Sequence, residues 1–262
     1  MRLKSIIKSA LYPVYERRLM AKLDLTRTPH HIGVILDGNR RWAKENPSPT
    51  GDTSSSRGHK AGAEKIIELL QWCEETDINL VTLWLLSSDN LKRSPEELAK
   101  LIAIIGETVE ELSATGKWRI HPVGSLDLLP QQLSSRLKEI AQKTAAIDGI
   151  TVNVAIGYGG RLEIVDAFKK YLQESNAAGK PVAQIAEEIS VNSIDPYLYT
   201  AGQPDPELVI RTSGEQRLGG FLLWQSHQSE FYFCEAYWPD FRRVDFLRAL
   251  RSYAARERRL GK

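Results

Sequence analysis

The chain has 262 residues, 42% of them hydrophobic and 26% charged, with a formal net charge of +2. That length can bury a sizeable core, and the near balance of 35 basic and 33 acidic residues argues against a general nucleic-acid footprint. Cys73 and Cys234 lack CxxC spacing or a neighbouring Cys/His cluster, and no apolar run reaches the about 20 residues that cross a bilayer, so free thiols in a reducing cytosol are expected and a signal peptide is not.

Residues 1–28 form an amphipathic segment, with Leu3, Ile6, Ile7, Ala10 and Val14 at helical spacing among Arg2, Lys4, Lys8, Arg17 and Arg18. Such a stripe packs on its own domain or lies on an anionic membrane surface, and the first is favoured. Residues 29–262 read as one domain. His31 to Leu36 is an apolar run that predicts a buried strand, breaking into Asp37-Gly38-Asn39-Arg40-Arg41-Trp42. Residues 46–56, rich in Pro, Ser, Thr and Gly, read as a mobile loop or lid. A helix follows Arg57-Gly58-His59-Lys60, and Leu80 to Leu86 predicts a second strand, ending in Ser87-Ser88-Asp89-Asn90. Ser94-Pro95-Glu96-Glu97 is a capping box before another helix. Trp118–Val123, Ile150–Ile156 and Leu208–Ile210 predict further strands, Pro130 and Leu162 mark helix starts, and a last helix begins near Val244. Gly159-Gly160 reads as a tight turn in which glycine supplies positive φ. Alternating strands and amphipathic helices predict an α/β fold: a mainly parallel sheet with helices on both faces.

Polar clusters follow four of these strands. In a parallel sheet those ends share one edge, so Arg41, Arg93, Arg211 and Arg217 can converge there with Asp37 and Glu230 as the acids. Two carboxylates among several arginines suit a metal-bound diphosphate. His59 either contacts phosphate, moves a proton or caps its helix. A Walker-type or GxGxxG loop, which a nucleotide-binding enzyme would need, is missing.

His31 to Trp42, Ser87 to Asn90, Asn153 to Arg161, Arg211-Thr212-Ser213-Gly214-Glu215 and Glu230 together resemble the signature of the cis-prenyltransferases, the family of undecaprenyl diphosphate synthase. The resemblance spans about residues 29–259. It implies a homodimer, a six-stranded parallel sheet wrapped by helices, a hydrophobic tunnel, and Mg2+ as cofactor. By resemblance, Asp37 is the magnesium-linked catalytic aspartate, with Glu230 as a second metal ligand contributed across the dimer. The turn Gly38, Asn39, Arg40 and Arg41, next to Trp42 and with His59, would hold an allylic diphosphate. Arg211, Ser213 and Arg217 would hold isopentenyl diphosphate. Ser87 and Asn90 would position substrate and relay the proton, supported by Arg93, and Arg259-Leu260-Gly261 resembles an element lent to the neighbouring subunit's site.

This sequence departs from the family pattern at several places. Arg40 stands where many relatives have Gly, Leu91 replaces a common Trp, Asp89 replaces Glu, and Gly219 replaces a phosphate-contacting Ser. Ser55 occupies the place of an arginine, with Arg57 nearby as the candidate replacement. Leu85 stands where long-chain members tend to have Ala, and its extra volume implies a short product, (Z,E)-farnesyl diphosphate from geranyl diphosphate. The alternatives are a long-chain polyprenyl diphosphate synthase and a non-catalytic partner subunit. The expected setting is cytoplasmic.

Overall fold

The apolar runs form β1 (His31–Ile35), β2 (Leu80–Ser87), β3 (Arg119–Val123), β4 (Thr151–Tyr158), β5 (Leu208–Arg211) and β6 (Glu230–Phe233). In a computed structural model of the chain, which describes residues 2–256, they make one sheet in the order β3-β4-β2-β1-β5-β6. Every neighbouring pair is parallel. Parallel neighbours need long crossovers. These carry α2 (Asn39–Glu45), α3 (Ser55–Glu74), α4 (Pro95–Ala114), α5 (Gln131–Thr144) and α6 (Gly160–Ala177). The short α7 (Val182–Glu188) and α8 (Val191–Ile194) lead to β5, and α1 (Arg2–Ala21) and α9 (Arg243–Ala254) lie towards the ends of the chain.

Strand side chains alternate between faces. Ile32 and Val34, Val81 and Leu83, Val152 and Val154, and Leu208 and Ile210 join one core with residues of α3, α4, α5 and α9. Over the centre of the other face lies the irregular segment after β5, where Phe221 and Leu222 pack on Ile35, Ala155, Tyr158 and Val209. Gly33 permits this cover, because a Cβ there would stand 2.9 Å from the Phe221 ring. At the other end of that face His31 is buried. Its Nδ1–H donates to the Pro204 carbonyl at 2.7 Å, and the Thr82 hydroxyl donates to Nε2 at 2.8 Å. Burial lowers its pKa to about 4, so it is neutral at pH 7.

The second half of α1 packs on its own domain. Leu19 is in the core, and the guanidinium groups of Arg242 and Arg248 lie over the Tyr12 and Tyr15 rings at 4.7 and 5.3 Å. The side chains of Leu3, Ile6, Ile7 and Ala10 lie outside the described residues, as do Arg259 and Gly261. No helix among the described residues is long and apolar enough to cross a membrane. Both cysteines are free and buried.

Three local expectations are corrected. The loop ends at residue 54, because Ser54 accepts from the Arg57 N–H and caps α3, leaving Ser55 and Ser56 helical. The positive φ near residue 159 belongs to Gly157, at 62°. Gly160 serves close approach instead, since a Cβ there would lie 2.8 Å from the Gly220 carbonyl oxygen. Finally, the Ser94 hydroxyl accepts from the Glu97 N–H, but the Glu97 carboxylate turns to Arg93 and Arg40.

Candidate active site

Asp37 leaves β1 two residues past its end, and Arg211 closes β5 beside it, paired in register with Ile35. Thr212 fixes the junction. Its hydroxyl donates to the Asp37 carbonyl at 2.7 Å and accepts from the Asp37 N–H at 3.0 Å. Arg211 is nearly buried, and its guanidinium donates to Asp37 Oδ2 at 2.8 Å and to the Arg217 carbonyl, while its Nε is buried without a partner among the described residues. Arg41 stands 3.5 Å from Asp37 Oδ1, donates to the Ser213 hydroxyl at 2.6 Å, meets Glu215 at 3.4 Å and lies over the Tyr237 ring. Glu215 also accepts from Arg217 at 2.6 Å. Burial pushes the Asp37 carboxyl up, but the hydrogen bond and charge of Arg211, the Ser213 hydroxyl and the charge of Arg41 outweigh it and leave the pKa lowered.

Across the mouth, Glu97 at the start of α4 meets Arg93 at 3.1 Å and Arg40 at 3.8 Å. His59, one turn into α3, is held neutral: burial first, then the charges of Arg93 and Arg40, lower its pKa to about 4. Its Nε2 is buried with no partner among the described residues. Ser87 caps the turn after β2 by accepting from the Asn90 N–H at 3.1 Å, which leaves its own hydroxyl proton available.

Asp37, Arg40, Arg41, His59, Ser87, Asn90, Arg93, Glu97, Arg211, Glu215 and Arg217 line one cavity of about 840 Å³. Six basic side chains (Arg40, Arg41, Lys44, Arg93, Arg211, Arg217) face three acids (Asp37, Glu97, Glu215), so the mouth selects a polyanion. Behind it the walls turn apolar, with Ala63 and Ile66 from α3, Leu85 from β2 and Leu101, Ile104 and Ile105 from α4. A charged head group and a hydrocarbon tail fit this division.

Asp37, Gly38, Asn39, Arg40, Arg41, His59, Leu85, Ser87, Asn90, Arg93, Arg211 and Arg217 are thus brought together, with Ser213 bonded to Arg41. Trp42 and Arg57 are not part of the lining. The Arg57 guanidinium is held over the Trp42 ring at 4.7 Å and donates to the Asn46 carbonyl, so it does not take the place of the missing arginine, where Ser55 itself lines the cavity. Glu230 is also remote from Asp37 within the chain. It starts β6 opposite Leu208, whereas Arg211 pairs with Phe233 at the other end, and it is bonded to Arg256. Lys44, Trp84 and Glu97 line the cavity without having been named as site residues from the sequence; Arg93, four residues before Glu97, was the available signal for Glu97.

No group of three or more His, Cys, Asp or Glu side chains among the described residues could hold a metal ion. Three carboxylates, Asp37, Glu97 and Glu215, line this basic mouth. That suits Mg2+, which binds through one or two carboxylates and completes its octahedron with water and substrate phosphate.

Residues 35–261 match the family model described as putative undecaprenyl diphosphate synthase. The chain is 54% identical over the whole of both chains to "Isoprenyl transferase 1" of Streptomyces avermitilis. It is 55% identical to "(2Z,6E)-farnesyl diphosphate synthase" of Thermobifida fusca, covering 98% of this chain and 99% of that one. Among solved structures, lavandulyl diphosphate synthase from Lavandula x intermedia, in complex with dimethylallyl diphosphate, superposes with a TM-score of 0.81 at 32% identity, over 90% of this chain and 100% of that one. A parallel sheet whose strand ends gather Asp37, Arg41, Arg211 and Arg217 over an apolar pocket therefore has its relatives in one place: the chain belongs to the cis-prenyltransferase family.

Proposed function

We propose that this protein condenses isopentenyl diphosphate with geranyl diphosphate to give (2Z,6E)-farnesyl diphosphate and free diphosphate. One observation carries the reading: Asp37 and the arginines at 41, 211 and 217 share a mouth that opens onto an apolar pocket walled by Leu85. The product named for the Thermobifida relative supports the chain length.

The allylic diphosphate sits at Gly38, Asn39, Arg40 and Arg41, where the neutral imidazole of His59 offers an N–H to a phosphate oxygen. Its hydrocarbon tail lies along Leu85, Ile104 and Ile105. Isopentenyl diphosphate binds at Arg211 and Arg217, with Ser213 steadying Arg41. Mg2+ held by Asp37, when bound, supplies charge that offsets the diphosphate. The allylic C–O bond breaks with its electron pair leaving on diphosphate, where the arginines stabilise it. The double bond of the adjacent isopentenyl unit forms the new C–C bond, favoured by the close placement of the two head groups. A proton then leaves that unit towards the Ser87 and Asn90 turn, closing the cis double bond; Arg93, bonded to Glu97, supports this wall.

We place Glu230, too far from Asp37 in its own chain, in the site of a second copy, together with Arg259 and Gly261, so the working unit is a homodimer. Exposed Val165, Phe168 and Leu172 form a row along α6 that suits such an interface. The setting is cytoplasmic, with residues 1–28 as an appendage to the domain at 29–262 and a peripheral membrane contact as its second use.

Thin-layer analysis of products from labelled isopentenyl diphosphate and geranyl diphosphate tests the reading. The unaltered protein yields fifteen-carbon product as its main species, and Leu85→Ala extends it. Long polyprenyl products from the unaltered protein would overturn the short-chain assignment.

A further inference from the structure

A fully buried carboxylate lies behind the arginine-bearing segment and takes no part in the steps above. Glu163 sits in the first turn of α6. Its Oε2 accepts from the Tyr158 hydroxyl at 2.5 Å, and Oε1 accepts from the Tyr199 N–H and from Gln225 Nε2, each at 2.9 Å. Burial raises its pKa, and these donors oppose that rise. A buried acid is costly unless donors surround it, and here donors come from three separate stretches of chain.

Gln225 ends the segment that begins at Arg211. Along that segment Ser213, Gly214, Gly219, Gly220 and Leu222 all have positive φ. A backbone bent this way belongs to no strand or helix, so anchors at its two ends set its path. At the front, the Ser213 and Gly214 N–H groups donate to the carbonyls of Ala236 at 2.7 Å and Cys234 at 2.8 Å. At the back, the Gly160 N–H donates to the Gly220 carbonyl at 2.8 Å, and Gln225 reaches Glu163 and the Thr200 hydroxyl. Between the anchors sits Arg217, whose carbonyl orients the Arg211 fork. Phe221 in the same segment stacks on Trp84 at 5.2 Å and meets Tyr158 edge-on at 6.0 Å. The Gln225 amide is held through its Nε2, which donates to both Glu163 and the Thr200 hydroxyl, while its Oε1 is buried with no partner among the described residues.

We propose that Glu163 is a positioning residue for the diphosphate at Arg211 and Arg217, acting through Gln225 and Tyr158 on the segment 212–225; this rests on the assignment of isopentenyl diphosphate to those arginines. Glu163 touches no substrate. It fixes where the Arg217 carbonyl stands and hence which way the Arg211 guanidinium points.

Steady-state kinetics with each substrate varied separately, alongside thermal melting, tests this. Glu163→Gln presents an N–H where a donor already points. It raises the KM for isopentenyl diphosphate about tenfold, with the KM for geranyl diphosphate within about twofold of the original. Exchanging the pair, E163Q with Q225E, restores one donor facing one acceptor and recovers most of the loss. Tyr158→Phe keeps the ring and removes one donor, and raises the same KM about threefold, which keeps the test available should Glu163→Gln not fold. An unchanged KM for isopentenyl diphosphate in the folded variants, an equal rise for both substrates, or no recovery in the exchanged pair overturns the proposal. Arg217→Ala separates the two levels. If it raises the KM for isopentenyl diphosphate while Glu163→Gln does not, only the positioning role fails; if it leaves that KM unchanged, the arginine assignment fails and this role with it.

Discussion

Arg211→Met removes the guanidinium while keeping the length of the side chain. Two bonds are lost, the one to Asp37 at 2.8 Å and the one to the Arg217 carbonyl. A hydrogen bond to a charged group, once truncated on one side, costs about 1.5–3 kcal/mol, and Asp37 retains some solvent and Arg41 beside it. The expected loss is about 3 kcal/mol in kcat/KM, or roughly two orders of magnitude. Lysine returns the charge without the fork, so Arg211→Lys recovers about tenfold of that. The pH profile gives an independent readout. Burial raises the Asp37 carboxyl, and Arg211 is the main reason that its pKa nevertheless lies below the ordinary 3.8. A depressed carboxylate adds stability above its ordinary pKa and loses it as pH falls through the lowered one. Without Arg211 burial is opposed only by the Ser213 hydroxyl and the charge of Arg41, so the acidic limb of kcat/KM moves to higher pH. An acidic limb that stays in place, with a loss under about fivefold, would refute the reasoning.

Two further expectations follow from the fold. Gly38 has φ of 104°, and a Cβ there would stand 2.7 Å from the Tyr237 ring and 3.1 Å from its Cα, so Gly38→Ala costs about 2 kcal/mol and lowers the melting temperature by about 5 °C in calorimetry. His31 titrates near 4 when folded and near 6.5 when unfolded, so the unfolded chain takes up the proton first and stability drains away as pH falls from 6.5 towards 4. That loss is about 3 kcal/mol, and urea midpoints between pH 7 and 4.5 should fall less in His31→Gln.

The polar ends of the strands were legible because a parallel sheet must gather them at one edge, and Asp37, Arg41, Arg211 and Arg217 do meet there. Direction was harder to read. Arg57 lies two residues before His59 in sequence, yet it stacks on Trp42 and turns away from the cavity, a choice made by a ring that periodicity does not reveal. Glu230 belongs to an aromatic run whose register against β5, set by tertiary pairing, sends it to the far end of the sheet. Glu163 carried no signal, since an acid in the first turn of a helix is ordinarily read as a solvated dipole partner. Its buried donors come from residues 158, 199 and 225, which only the folded chain brings together.

The bare backbone at Gly33 ties the packing of the sheet to the placement of the site. Phe221 rests directly on the central strand there, and the guanidinium-bearing turn is carried on that same seat. Any side chain grown at position 33 would lift the turn like a pebble under a hinge plate, so inheritance of the architecture and inheritance of the chemistry pass through a single missing methyl group.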